Sequence, residues 1–230
     1  TDFCSPLRIS LCYYVSSIAL FFSMYLHFIP YVNGFELLHQ AVMSVNELWP
    51  RTIIIDNRND ESLPNPNDSS CPWHKRVAVI KPIVSLTTAQ TMNMMWRLAV
   101  EQDCSFFTWM HNDAECLEGA GGKLISFVEQ LTEPWGIVYT NYDVLAAYNV
   151  EAINLVGGWD ALRFPYYFLD NDIAKAVEAV GYSTIDSGLG NLVKHNNGAS
   201  NTIQQDSVRA EVNRMTFSVC DMMYRKKWGL

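Results

Sequence analysis

Basic residues are scarce in this chain of 230. Lys and Arg together number 16 against 24 Asp and Glu, a formal net charge of -8. No broad cationic face can be assembled from that balance, which argues against nucleic acid as a partner. Charged residues of both signs make up only 17% while 49% are apolar, and this excludes a disordered chain. Pro at 9 and Gly at 12 exclude collagen-like or Pro-rich low complexity. Cys4, Cys12, Cys71, Cys104, Cys116 and Cys220 include no C-x-x-C pair, which argues against a zinc ribbon or a thioredoxin-type redox pair. Reduced, mostly buried thiols are the expectation. What remains is one domain of ordinary size with enough apolar mass for a core.

Ile9 to Ile29 lacks Asp, Glu, Lys and Arg. Two readings stay open. As a whole the run approaches the ~20 apolar residues of a membrane helix and would serve as a signal anchor. Met24 to Ile29, however, also reads as a strand entering a loop, and what precedes it is then too short to span a bilayer. Residues 1–22 are therefore set apart as an apolar extension and residues 23–230 as the domain. The compartment follows the same split. It is cytoplasmic or membrane-associated, and Golgi or ER if Ile9–Ile29 is an anchor.

Strands and helices alternate through the first half. Tyr25–Ile29 predicts a strand. Phe35, Leu38, Val42 and Val45 follow at helical spacing. The β-branched run Thr52-Ile53-Ile54-Ile55 ends at Asp56, the pattern of a buried parallel strand. Asn57 to Pro72 reads as a long loop, Val77–Lys81 as a strand, and Thr87 or Thr88 as the cap of a helix to Gln102. A strand over Ser105–Met110, a helix near Gly122–Leu131 and a strand near Gly136–Thr140 come next. Tyr139 to Phe168 is expected to carry variable loops. A helix ending at Gly181 and a last helix over Gln205–Tyr224 close the chain. That last helix has Val208, Val212, Met215, Val219 and Met222 along one face. The alternation predicts an α/β fold with a mostly parallel sheet and helices on both sides, Rossmann-like in its first half.

Ligands in such sheets sit beyond the carboxyl ends of the strands, where the polar clusters fall. Asn33 follows the first strand, Asp56 ends the second, and Asp113 with Glu115 follows the fourth. Asp113-Ala114-Glu115 offers two carboxylates to one hard cation, which would bridge to phosphate oxygens. His195 is a candidate third ligand and otherwise a hydrogen-bonded loop histidine. Asp170 and Asp172 open a helix, where they serve either as caps or as a general base facing an attacking hydroxyl. Asp56, Asn57 and Asp60 are placed to accept hydrogen bonds from a nucleobase or ribose, or to start Asx turns.

The order of these motifs resembles the family-2 glycosyltransferases of the GT-A, nucleotide-diphospho-sugar transferase, fold. Phe28-Ile-Pro30-Tyr-Val-Asn33-Gly34 is similar to the family's first-strand segment, and Ile53-Ile-Ile-Asp56-Asn57-Arg-Asn-Asp60 to its nucleoside-binding one. Asn93 sits on the next helix where the family often has Asn. Met110-His-Asn-Asp113-Ala-Glu115 resembles the metal-binding Asp-x-Asp position. Gly157-Gly-Trp-Asp160, Phe168-Leu-Asp170-Asn-Asp172 and Gly181-Tyr182 are similar to "G-G-F-D … E-D-x-D … G-Y", and His195 with Gly198 and Ser200 to "H-x-x-G-x-S".

The resemblance spans residues 24 to 200. It implies donor contacts at Pro30, Asn33, Asp56, Asn57, Asp60, Asn93 and Asp113. It implies Mn2+ or Mg2+ among Asp113, Glu115 and His195, and a base at Asp170. Leu169 stands where the family has Glu, so Asp172 stays a second candidate base. Residues 23–118 would then bind a UDP- or GDP-sugar, and residues 119–230 an acceptor hydroxyl on a glycan, lipid or protein. The chain has no Q-x-x-R-W segment, and the implied enzyme is a non-processive, metal-dependent inverting glycosyltransferase. The alternatives are a catalytically inactive nucleotide- or sugar-binding domain of this fold and a nucleotidyltransferase.

Overall fold

The computed structural model describes residues 25–195, 202 and 205–230. The apolar run before Tyr25 and the Gly198 and Ser200 of the expected closing motif lie outside the described residues. Among those described, no helix is long and apolar enough to cross a membrane.

The elements in order are β1 (Tyr25–Tyr31), α1 (Phe35–Ser44), β2 (Thr52–Asp56), β3 (Ala78–Ile80), α2 (Thr88–Glu101), β4 (Phe106–Met110) and β5 (Ala114–Cys116). Then come α3 (Ala120–Glu129), β6 (Trp135–Thr140), β7 (Tyr142–Asn149), α4 (Val150–Val156), α5 (Leu169–Ala179), β8 (Ser183–Asp186), β9 (Val193–His195) and α6 (Ser207–Trp228). Seven strands form one sheet in the order β3-β2-β1-β4-β7-β6-β8. The pairings of β1 with β2 and β4, β2 with β3, and β6 with β8 are parallel. β7 runs against both of its neighbours. The expected mostly parallel α/β sheet is what forms.

Successive side chains of a strand point to opposite faces, so the buried strands feed two cores. Ile29, Phe106 and Met110 pack with Leu38 of α1 and Leu124 of α3 on one face. Phe28, Phe107 and Trp109 pack with Met92 of α2, Ile153 of α4 and Ile173 of α5 on the other. α2 starts where the sequence indicated. The Thr87 hydroxyl accepts from the Gln90 N–H and the Gln90 side chain accepts from the Thr87 N–H, a capping box that satisfies two otherwise orphaned donors.

Two expectations need correcting. Tyr139 to Phe168 is not mainly loop, because β7 and α4 occupy much of it. Val144 to Tyr148 is a continuous apolar run buried on both faces of the sheet, so it lacks the period-two signature that marks a half-exposed strand. The apolar face of the last helix is also not core. Val208, Met215 and Met222 are 66%, 65% and 60% exposed, while Arg209 and Cys220 are the buried side chains of α6. The described cysteines, Cys71, Cys104, Cys116 and Cys220, are free and buried, in line with the expectation for thiols.

His27 lies at the middle of the sheet, fully buried, in register with Thr108 on β4. Its Nδ1 is 2.8 Å from Thr108 Oγ1, and its Nε2 has no partner. Burial holds its pKa down to about 3, so the folded protein keeps this ring neutral. The unfolded chain takes up the proton near pH 6.5. Stability from this group is therefore complete above pH 6.5 and is lost as pH falls from 6.5 toward 3, by about 1.4 kcal/mol per unit. In urea denaturation, wild type should lose about 2 kcal/mol more between pH 7 and 5 than a His27→Val/Thr108→Val variant, which has no proton to bind there. Parallel pH profiles for the two proteins would contradict this account.

Candidate functional site

The site lies where the carboxyl ends of β1 and β4 meet the start of β7. His111 N–H continues the β4–β7 ladder by donating to Val144 O at 2.9 Å, and Trp109 Nε1 donates to Asp143 O at 2.8 Å. Tyr142, just before, has φ +53°, a left-handed backbone uncommon for a residue with a side chain. This turn, pinned by the Asn141 Nδ2 bond to Val193 O at 3.0 Å, aims Tyr142 and Asp143 into a cleft of about 790 Å3.

A short antiparallel ribbon of β5 and β9 pairs Ala114 with His195. That pairing sets His195 Nε2 3.2 Å from Asp113 Oδ1, 82 residues away in sequence. His111 Nδ1 lies 3.7 Å from the same oxygen, and its Nε2 lies 3.7 Å from Asp143 Oδ2. One donor atom from each of His111, Asp113 and His195 falls within 4.8 Å of the others. Two imidazoles and one carboxylate form a donor set that suits Mn2+ or a similar divalent ion better than Mg2+, which prefers oxygen alone. The residues fit a divalent cation.

Glu115 does not join them. Strand alternation turns it to the outer face of β5, where it is exposed and in register with Lys194. His111 stands in the cluster instead, a His-x-Asp spacing two residues earlier than the Asp-x-Glu read from the sequence. The repeated two-residue spacing of His111-Asn112-Asp113 was the available signal.

Electrostatics tie the cluster together. Burial works against the charge on Asp113, yet the His195 bond and both imidazoles hold its carboxyl below the usual range. Burial also disfavours Asp143, and His111 outweighs it, again lowering the carboxyl. His111 is pushed down by burial but lifted more by Asp143, Asp113 and Asp170, ending above its ordinary value. Asp170 differs from the other carboxylates. Burial, reinforced by Asp143, raises its pKa in spite of a hydrogen bond donated by the Tyr142 hydroxyl.

The two candidate bases separate cleanly. Asp170 lines the cleft. Asp172 is 4% exposed and already engaged. It pairs with Lys227 Nζ at 2.7 Å and accepts from Trp228 Nε1 at 2.9 Å, which ties the end of α6 to the start of α5. It is not among the residues lining the cleft.

Of the expected donor residues, Pro30, Asn57 and Asp113 line the cleft. Asp56 is buried under Arg58, whose Nε donates to both of its oxygens at 2.8 and 3.0 Å. Asp60 is exposed and caps a turn by accepting from Ser62 N–H at 2.8 Å. Asn33 Nδ2 donates to Thr202 O at 2.7 Å. Asn93 makes a two-way bond with Trp159, Nδ2 to its carbonyl and Oδ1 from its N–H, both 2.8 Å. Gly158 makes this possible, since a Cβ there would stand 2.5 Å from Asn93 Oδ1 and its φ is +86°. Asn93 therefore shapes a turn rather than facing the cleft.

Sequence reasoning missed Asp143, Tyr142 and Arg209. Arg209 comes from α6, is 5% exposed, lines the cleft and donates from Nη2 to Ser85 Oγ at 2.6 Å and Asn57 O at 3.2 Å.

No protein-family model matches the chain, and no curated protein sequence matches it. Solved structures do. A mannosyltransferase from Pyrobaculum calidifontis, in complex with GDP-Man and Mn2+, superposes with a TM-score of 0.55 at 18% identity, over 72% of this chain and 55% of that one. Glucosyl-3-phosphoglycerate synthase from Mycobacterium tuberculosis, with Mn2+ and UDP-glucose, gives 0.56 at 11% identity over 86% and 79%. The fold is GT-A. GalNAc-T7 with UDP, GalNAc and Mn2+ gives 0.55 at 12% identity over 70% of this chain and 42% of that one. The chain spans about half the length of the mannosyltransferase and of GalNAc-T7.

The GT-A geometry yields a ligand test. Mn2+ titration followed by electron paramagnetic resonance should show His111→Ala weakening the ion as severely as His195→Ala, by at least about tenfold. Asp143→Asn should weaken it by about 10- to 100-fold through the loss of the carboxylate behind His111. Glu115→Ala should leave it unchanged. Loss of binding in the Glu115 variant would restore the ligand set read from the sequence.

Proposed function

We propose that the chain is a non-processive inverting glycosyltransferase that moves a sugar from a UDP- or GDP-sugar to an acceptor hydroxyl, with a divalent cation as cofactor. The observation that carries the reading is the convergence of His111, Asp113 and His195 in one cleft with the carboxylate of Asp170. The nucleotide-sugars and Mn2+ bound by the neighbouring structures point the same way.

His111 and Asp113 at the end of β4 and His195 on β9 would hold the ion. When bound, it supplies positive charge that stabilises a diphosphate leaving group. Asp170 accepts the proton of the acceptor hydroxyl as the oxygen bonds to the anomeric carbon. The bond from that carbon to the diphosphate oxygen breaks at the same time, and the diphosphate leaves with the electron pair. Attack from the face opposite the leaving group inverts the centre. Burial fits Asp170 to this task, because a raised pKa makes the carboxylate a stronger proton acceptor. The Tyr142 hydroxyl orients it. In this reading residues 23–118 hold the donor and residues 119–230 supply acceptor contacts and the base, with His195 crossing between the halves. Acceptor identity, whether glycan, lipid or protein, is left to assay. Membrane association through the apolar N-terminal run rests on residues outside those described.

The alternative is a GT-A domain that binds nucleotide without turnover. Calorimetric titration of UDP and GDP, each with and without Mn2+, should give metal-dependent binding of one of them. Asp170→Asn should keep that binding and lower transfer or donor hydrolysis by about 10^2- to 10^4-fold. Asp172→Asn should instead lower thermal stability while leaving residual activity per folded molecule near wild type. Normal turnover by Asp170→Asn would overturn the base assignment. Metal-dependent binding with no turnover across acceptors would favour the inactive domain.

A further inference from the structure

The outward face of α6 is independent of the cleft and of the reading above. Val208, Val212, Met215, Val219 and Met222 are spaced four, three, four and three residues apart. That is the narrow seam of a coiled coil rather than the broad stripe of a helix packed on a core. All five are exposed in the described structure, from 37% at Val212 to 66% at Val208. The side of α6 that meets its own domain is a different one, occupied by Arg209 and Cys220. Phe217, on another flank, packs on Tyr167 and Phe168. An apolar strip of this size on a single surface helix signals a partner.

The spacing specifies a helix as that partner, and the charges specify which one. Glu211, paired with Arg214 on its own helix, borders the seam near its start, and Arg225, paired with Asp221, borders it near its end, where Lys226 continues the seam four residues after Met222. Two copies of α6 in parallel would set Lys226 against Lys226. In antiparallel register, with Met215 opposite Val219 of the other copy, Val212 meets Met222, so the central layers each pair one Val with one Met. At the ends Val208 meets the aliphatic stem of Lys226. Glu211 of each chain then approaches Arg225 of the other. The arrangement closes on itself about a two-fold axis beside Phe217 and leaves no open end. We infer that this face of α6 is a self-association surface, on which a second copy of the chain docks through an antiparallel α6–α6 pair.

One helix pair is smaller than the about 800 Å2 per partner of a standard stable interface, so the dimer should be reversible and grow with concentration. Light scattering across a dilution series should show a mass rising from the 26.2 kDa of one chain toward twice that value. Met215→Glu, on an exposed position, should hold the protein at monomer mass with unchanged circular dichroism and melting temperature. Under mild oxidation, a Met215→Cys/Val219→Cys variant should form an interchain disulfide beyond the level set by the chain's own six cysteines. Met215→Cys alone should not exceed that level. A monomer at every concentration, or a dimer insensitive to Met215→Glu, would overturn the proposal. So would efficient crosslinking of Met215→Cys alone, which reports a parallel pair. A monomer that co-sediments with anionic vesicles through the same residues would assign the strip to a membrane and refute it as well.

Discussion

The site depends on the antiparallel pairing of β7 against β4. A sheet made only of crossover units would place a helix after β4 and leave His111 facing solvent. With β7 inserted, the ladder extends through His111 to Val144, and the strand's entry turn stands beside the end of β4. Asp143 then backs His111, while Tyr142 reaches Asp170 from the neighbouring helix. The strained φ of Tyr142 is sustained because strand pairing on one side and the Asn141–Val193 bond on the other determine it. Four charged or ionisable groups are thus assembled by one strand that binds no ligand through most of its length.

The second constraint is α6. It contributes Arg209 and Phe217 to the lining of the cleft and is fastened at both ends by polar contacts. Arg209 reaches Ser85 and Asn57 at the start, and Lys227 and Trp228 close on Asp172 at the end. Buried charges persist only when paired, so these clamps define where α6 lies. Between the anchors Phe217, Cys220 and Tyr224 face the domain, and a second apolar strip is left outside. That strip is not needed to hold the helix to its own domain and is available for a partner.

Much was legible in the chain itself. The β-branched run ending at Asp56, the capped helix after Thr87 and the buried run before His111 each carry a local signal, and each formed. The acidic clusters also fall at strand ends. Asp56, Asp60, Asn33 and Asn93, read as donor contacts from sequence position, each make a hydrogen bond to a protein group. Such partners, Arg58 apart, are not evident from motif order. β7 was missed because its buried run, Val144-Leu145-Ala146-Ala147-Tyr148, lacks after Val144 the β-branched residues that marked β2 and has the composition of a helix.

The sequence by itself determined the fold class and the strand ends as the polar rim, where Asp113 falls. These follow from periodicity and from residue types that local physics places in few settings. Tertiary structure alone decided that His111 and not Glu115 faces Asp113, and that Asp172 is an anchor while Asp170 lines the cleft. It also decided that the apolar face of α6 looks outward. Each of these turns on which of two nearby side chains points inward. That choice is made by strand register and by partners between 55 and 152 residues distant, such as His195 for Asp113, Lys227 for Asp172 and Arg209 for Asn57.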